Sequence, residues 1–290
     1  MASDAFQATA TQDDSLDLSR SAPNSSPRRQ ALWRSTATRL GTVLVVVVVC
    51  LFWELTARER WMNPIFTGQP VKVLGSLWEL IRGNMLWEDV AATVEATLVG
   101  VVAASACGIV LAFVLSRLRL VYAVVDPLFV ALNSLPRVAL APLFLLWFGI
   151  GLESKVFLSA SVAFFVVFLN TVAGIDSVDR DHLVLARSLG AGAWQTFRKF
   201  VLPSSVPSIF AGLELAMIYG FIGTVTGEML AGQRGIGVRI SYYSGLFRTN
   251  HMLAYLFVLM IVTTAIATML RWVRRRLLRW QSAGVHQMVQ

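Results

Sequence analysis

Residues 41–52 read Gly-Thr-Val-Leu, then five valines, then Cys50-Leu51-Phe52, and five further long apolar runs follow along the chain. A helix of about 20 apolar residues is long enough to cross the roughly 30 Å hydrocarbon core of a bilayer. With 56% apolar and only 14% charged residues over 290 positions, the chain is too apolar for an ordinary water-soluble domain. Alternating segments of about ten residues, the pattern of a membrane β-barrel, are absent from it. The expected fold is an all-α membrane protein, with six spans near 38–57, 90–115, 122–148, 154–175, 206–230 and 252–273.

These spans form one transmembrane domain over 36–280, with a polar insert at 176–205. Residues 1–35 are rich in Ser, Ala, Thr, Asp and Gln and are expected to be a disordered tail; 281–290 form a short second tail. No small-residue cleavage site follows the first apolar run, so it reads as a retained helix. Between the first two spans, Val71, Leu74, Leu77, Trp78 and Ile81 recur at helical spacing over Pro70 to Arg82. That segment is too short to span, and its expected place is along the membrane interface, with Trp78 and Trp87 at headgroup level.

The net charge of +8 reflects topology more than nucleic-acid binding, because the basic residues gather at span ends. With the N-terminus inside, sixteen Lys and Arg lie on inside segments and eight on outside ones. Both termini and the 176–205 insert are therefore expected to be cytoplasmic. Cys50 and Cys107 lie within apolar runs, and His182, His251 and His286 are scattered, so neither a disulfide framework nor a metal-ligand spacing is present.

Two spans carry small residues at every fourth position: Gly100, Ala104, Gly108 and Ala112 in one, and Gly212, Ala216 and Gly220, followed by Gly223 and Gly227, in the other. Such stripes let helices approach closely in lipid; tight packing within one bundle is favoured over a dimer seam. Pro127, Pro136 and Pro142 interrupt the third span, with Asn133 and Ser134 just before the middle proline, which predicts a kinked or broken helix. Glu95, Arg137, Glu214 and Glu228 are the ionisable groups within or near spans. Asn133, Ser134, Arg137 and Glu228 are candidates for a solute pathway. For Arg137 the favoured alternative is a structural pair with one of the carboxylates, or snorkelling.

In the insert, Asp179 and Asp181 mark a helix start, His182 to Leu189 supply about two turns with Leu183, Ala186 and Leu189 on one side, and Gly190 turns the chain. Ala193 to Val201 predict a second short helix with Trp194, Phe197 and Val201 on its apolar face, and Pro203 and Pro207 mark the start of the fifth span. By these properties alone, a docking surface and a plain connecting loop are equally well served.

The order Ala186, Gly190, Leu202, Pro203 resembles the cytoplasmic EAA loop of ABC importer permeases, which asks for Glu-Ala-Ala, three residues, Gly, nine residues, Ile, one residue, then Leu-Pro. Val184 and Leu185 stand in place of the Glu and the first Ala, and Phe200 in place of Ile, so a salt bridge made by that Glu is lost while the loop's shape is kept. Leu132-Asn-Ser-Leu-Pro-Arg-Val-Ala-Leu-Ala-Pro-Leu143, Trp147-Phe-Gly-Ile-Gly151, Gly227-Glu-Met-Leu230 and Arg234-Gly-Ile-Gly237 are similar to the nitrate/sulfonate/taurine-type permeases, over about residues 40 to 280.

The resemblance implies a homodimer of six-helix subunits in the bacterial inner membrane, two cytoplasmic ATP-binding subunits and an extracytoplasmic solute-binding protein. ATP and Mg would be held by the ATPase partner; the chain has no Gly-Lys pair and so no phosphate-binding loop of its own. Ala186, Arg187, Leu189, Gly190, Ala191, Trp194, Leu202 and Pro203 are the residues expected to couple to the ATPase. The implied activity is import of a small, anionic, sulfonate-, nitrate- or taurine-like solute, not catalysis. A self-sufficient secondary transporter would need matched broken helices in two halves, and only one span is broken; an intramembrane enzyme has no supporting constellation, since His-Glu-x-x-His is absent.

Overall fold

The apolar runs fold as helices, several of them longer than their composition suggests. The computed structural model describes residues 27–59 and 63–278. Residues 1–26 of the expected 1–35 tail, and the whole 281–290 tail, lie outside the described residues. Helix α1 (Pro27–Arg58) begins inside the 1–35 stretch read as disordered. It is followed by α2 (Pro64–Thr67), α3 (Pro70–Arg82), α4 (Asn84–Arg117), α5 (Arg119–Ser134), α6 (Ala141–Phe148), α7 (Leu152–Asp176), α8 (Arg180–Ser188), α9 (Ala193–Thr196), α10 (Leu202–Ala231), α11 (Ile236–Gly245) and α12 (Thr249–Leu277). A 3₁₀ turn, Arg137–Leu140, precedes α6, and a π-turn, Phe197–Val201, joins α9 to α10.

Among the described residues five helices are long and apolar enough to span: α1, α4, α7, the continuous α9–α10 unit and α12. The pair Leu120–Ser134 and Arg137–Phe148, bent by 82°, supplies the sixth. The break predicted from the prolines is real, and only Pro136 makes it. Pro127 sits inside α5, and Pro142 lies in the first turn of α6, where its missing N–H has no partner to lose. Pro203 and Pro207, expected to start the fifth span, lie within a helix that already runs from Ala193. The π-turn explains this: the Leu202 N–H reaches back to the Phe197 carbonyl, which widens the helix just before Pro203.

In α1 the run Leu40–Arg58 is apolar and exposed along nearly all of its length. From Thr56 onward the chain forms one packed unit. Its centre is α7, lying between α4 and α10. Gly100 meets the Val156 carbonyl and Ser159, and Gly108 meets Phe164 and Phe168, so α4 and α7 run parallel. Gly212 meets Asn170, Gly223 meets Leu158 and Ser159, and Gly227 meets Leu158 and Lys155, so α10 runs antiparallel to α7. Both small-residue stripes are thus spent inside the bundle. Val101, Ala104, Ala163, Val167, Ala216, Met217 and Phe221 fill the space between them.

A side chain added at these crossings has nowhere to go. A Cβ on Gly100 would lie 2.7 Å from the Val156 carbonyl oxygen and 2.8 Å from the Ser159 Cβ. Gly100→Val is therefore expected to destabilise the chain by about 1–3 kcal/mol through overpacking. Thermal unfolding of the purified protein in mild detergent reads this directly, and a wild-type midpoint would refute the packing.

Helix α3 is amphipathic as expected. Val71, Leu74, Trp78 and Ile81 are exposed, while Leu77 and Leu80 pack against the cluster of Leu86, Ile236, Ile240, Tyr255 and Val258. The Arg82 guanidinium lies 4.5 Å over the Trp78 ring, and Trp87 Nε1 donates to the Ile81 carbonyl at 3.3 Å.

Candidate functional site

The end of the bundle that carries the starts of α4 and α7 and the end of α10 holds a buried polar cluster. Glu228, only 1% exposed, accepts from the Gly237 N–H at 2.8 Å and from the Thr93 hydroxyl, which is 3.0 Å from both carboxylate oxygens. Lys155 Nζ lies 3.7 Å from the same carboxylate and donates to the Arg234 carbonyl at 2.6 Å. Asp89, equally buried, accepts from the Gly235 N–H at 3.1 Å, Arg239 Nε at 2.8 Å and the Tyr255 hydroxyl at 3.3 Å. The Ile236 N–H donates to Thr93 Oγ1 at 2.9 Å.

The free N–H groups that open α11 are therefore satisfied by side chains of α4 and α10, with two carboxylates at the positive end of the helix. Gly235, at φ 128°, allows the chain to pass the Glu228 carboxylate; an added Cβ there would overlap it. Glu228, a sequence candidate for the solute pathway, is instead enclosed in this lock. Of the other ionisable candidates, Glu95 is exposed and Glu214 pairs with Arg274 at 3.2 Å.

The broken span gathers Asn133, Ser134 and Arg137, as the sequence predicts. Arg137 Nη2 donates to Asn133 Oδ1 at 2.8 Å, with longer contacts to the Asn133 and Leu132 carbonyls at 3.4 and 3.5 Å. Its guanidinium lies 4.4 Å over the Phe165 ring of α7. The expected pairing of Arg137 with a carboxylate does not occur among the described residues; its partners are an amide, backbone carbonyls and a ring. The Ser134 hydroxyl donates to the Val130 carbonyl at 2.9 Å, so its donor is used within α5.

At the opposite end, the insert forms the predicted helix–turn–helix. The Asp181 N–H donates to Asp179 Oδ1 at 2.9 Å and starts α8. Gly190, at φ 71°, ends it, and the Ala191 N–H returns to the Ala186 carbonyl at 2.9 Å. The Gly192 N–H donates to Gln195 Oε1 at 3.2 Å at the start of α9. Phe197 then packs edge-on against Phe113 of α4 at 5.1 Å and under the Arg117 guanidinium at 5.1 Å. The second helix of the insert is thus rooted on α4 as well as fused to α10.

Ala186 is buried and Leu183 half-buried, as their shared face requires. Leu189 departs from expectation. It belongs to the turn after Ser188 rather than to the buried face, and it is 76% exposed. With Val184 (60%), Leu185 (52%) and Trp194 (68%), it forms an exposed apolar patch. Val184 and Leu185 are the two positions at which the chain departs from the Glu-Ala start of the EAA pattern. Arg187 lies on α8. Ala191 is half-buried after the turn, and Leu202 and Pro203 are half-buried in α10.

This arrangement, a spanning bundle with an apolar helix–turn–helix at one end, has known counterparts. The family model for the binding-protein-dependent transport system inner membrane component matches residues 104–279. The chain belongs to this family. It is 31% identical over 258 residues to the riboflavin transport system permease protein RibX of Chloroflexus aurantiacus, covering 89% of this chain and 96% of the relative. It is 30% identical over 257 residues to the taurine transport system permease protein TauC of Escherichia coli, covering 87% and 92%. The nitrate import permease protein NrtB of Leptolyngbya laminosa is 29% identical over 245 residues, covering 76% and 85%.

Among solved structures, the MetNI methionine ABC transporter in inward-facing conformations matches with a TM-score of 0.54 at 19% identity, covering 71% of this chain and 97% of that one. That likeness shows the fold. The chain is an ABC importer permease for small solutes, a multi-pass inner-membrane protein of a family that works with ATP-binding subunits and a solute-binding protein.

Proposed function

We propose that this permease carries a small anionic solute, sulfonate-, nitrate- or taurine-like, into the cytoplasm, and that α8, the Gly190 turn and α9 form the surface on which its ATPase subunit docks. The observation that carries the docking assignment is the patch of Val184, Leu185, Leu189 and Trp194, each at least half exposed on the insert. Exposed apolar groups of this size, with an aromatic anchor, are what an interface core consumes. The end of the bundle carrying the patch also holds Arg117, Arg198, Lys199, Arg274, Arg275 and Arg276, which fits the cytoplasmic side and supports cytoplasmic termini.

ATP and Mg belong to the partner in this reading, and two copies of the permease enclose the pathway. Closure of the ATPases displaces α8 and α9. The π-turn passes that motion to α10, and the Phe197 contact passes it to α4. The solute assignment draws on relatives named for taurine, aliphatic sulfonates and nitrate. A second reading, an uncharged heteroaromatic solute, is favoured by the riboflavin relative.

The test is a mild-detergent purification of the permease from its native membrane. An ATPase subunit should co-purify stoichiometrically and be lost when residues 182–202 are replaced by a Gly/Ser linker; a permease that keeps its ATPase without this segment overturns the assignment. Uptake of labelled taurine and of labelled riboflavin by the intact transporter separates the two solute readings.

A further inference from the structure

Arg137 occupies a position that the fold alone does not account for. Its guanidinium sits 4.4 Å over Phe165, near the middle of the 25-residue α7. At 1.5 Å per residue this is about 17–20 Å from either end of α7, close to mid-depth in the bilayer. Snorkelling to an interface cannot relieve a charge held so deep. All three of its hydrogen-bond contacts pass through Nη2, and only the one to Asn133 Oδ1, at 2.8 Å, is short. Nη1 and Nε make no hydrogen bond among the described residues, and no carboxylate there lies within ion-pair distance.

A half-buried cation at this depth is costly unless it meets water or a counter-charge. The broken backbone beside it carries the same requirement, since non-helical backbone at membrane depth must be buried in protein or line an aqueous cavity. Asn133 completes the geometry. Because its Oδ1 accepts from Arg137, its amide group is the end left to donate. Ser134, whose proton goes to Val130, offers no donor.

We infer that Arg137 and Asn133 form a transient oxyanion contact in the translocation pathway, reading a sulfonate, carboxylate or nitrate group of the passing solute by its charge and its paired acceptor oxygens. The guanidinium supplies free N–H donors in a fixed fork, the geometry that matches such a group. Phe165, beneath the guanidinium, holds it in place by cation–π contact. The inference rests on the permease reading, and it makes Arg137 a charge filter separate from any solute-binding protein.

A test that needs no knowledge of the solute uses thiol reagents of opposite charge. In a background with Cys50 and Cys107 replaced by alanine, Ser134→Cys is introduced, and the complete transporter in native membranes is treated with ethylsulfonate and trimethylammonium methanethiosulfonates. Relative to a free thiol in solution, the introduced thiol should favour the sulfonate reagent. Adding Arg137→Gln should lower the sulfonate-to-ammonium rate ratio by about tenfold, the size expected for removing one nearby charge in a partly aqueous site. Arg137→Lys should keep most of the preference.

The inference is overturned if neither reagent reaches the introduced thiol, or if the ratio is the same with Arg137→Gln. If Arg137→Gln does not assemble, Ser134→Cys alone decides, since a ratio at or below that of a free thiol removes the filter. Co-purification of the ATPase from the same membranes monitors the permease itself. A retained ATPase with no charge preference removes this inference only, and an ATPase absent from the wild-type preparation removes the permease reading.

Discussion

Glu228→Ala is expected to cost the folded chain about 3–5 kcal/mol, the loss typical when one partner of a buried ion pair is removed. The substitution strips the Gly237 N–H of its acceptor, leaves the Thr93 hydroxyl only the Asp89 carbonyl, and leaves the Lys155 ammonium, 8% exposed, with only the Arg234 carbonyl. Glu228→Gln should cost less. Its amide oxygen can still accept from Gly237 and keeps the shape that Gly235 passes, although the charge opposite Lys155 is gone. Gly235→Ala attacks the same lock from the other side, because a Cβ at φ 128° overlaps the carboxylate.

These three variants separate a structural lock from a solute contact. A lock predicts lower unfolding midpoints in detergent, in the order wild type above Glu228→Gln above Glu228→Ala, with uptake per folded molecule preserved in the Gln variant. A wild-type midpoint for Glu228→Ala together with lost uptake would return Glu228 to the pathway.

Glu228 is legible in the sequence only in part. The spans, the α3 amphipathicity, the turn at Gly190 and the packing stripes are local patterns, legible because period and side-chain size act within one or two turns. Glu228 is legible as an ionisable group in a span, but its partners are not. Thr93 and Lys155 are distant from it in sequence, and only the bundle brings them together, as it brings Arg239 to Asp89. Asp89 carries one usable signal. With Thr93 and Thr97 it forms a polar row at every fourth position of α4. A second span beginning at residue 90, as hydropathy suggests, leaves Asp89 just outside, whereas the helix itself begins at Asn84. Leu189 fails for a different reason, since the helical period that assigns faces does not extend through the turn that ends α8.

Leu189→Glu and Trp194→Glu together should weaken ATPase binding by at least about 100-fold, or ~2.7 kcal/mol, because two exposed anchors become carboxylates that the interface must desolvate. Neither side chain packs into the bundle core, so the unfolding midpoint should stay at the wild-type value. Trp194 stacks on Phe197 at 5.5 Å, and Phe197 remains anchored on Phe113 and Arg117 without it. Gly190→Val is the contrasting case. Apart from its chain neighbours, nothing lies within 4 Å of the position a Cβ would take, so the substitution meets no packed group and acts through the backbone at φ 71°. That strain is about 1–2 kcal/mol for a residue with a side chain, enough to open the turn and shift α9 relative to α8. ATP-driven uptake should therefore fall steeply in the double variant and in part in Gly190→Val, while both insert and fold. If the double variant binds its ATPase as the wild type does, the docking surface lies elsewhere, and the patch must face lipid or another protein. If Gly190→Val alone abolishes binding, the turn's geometry carries more of the docking energy than its apolar surface.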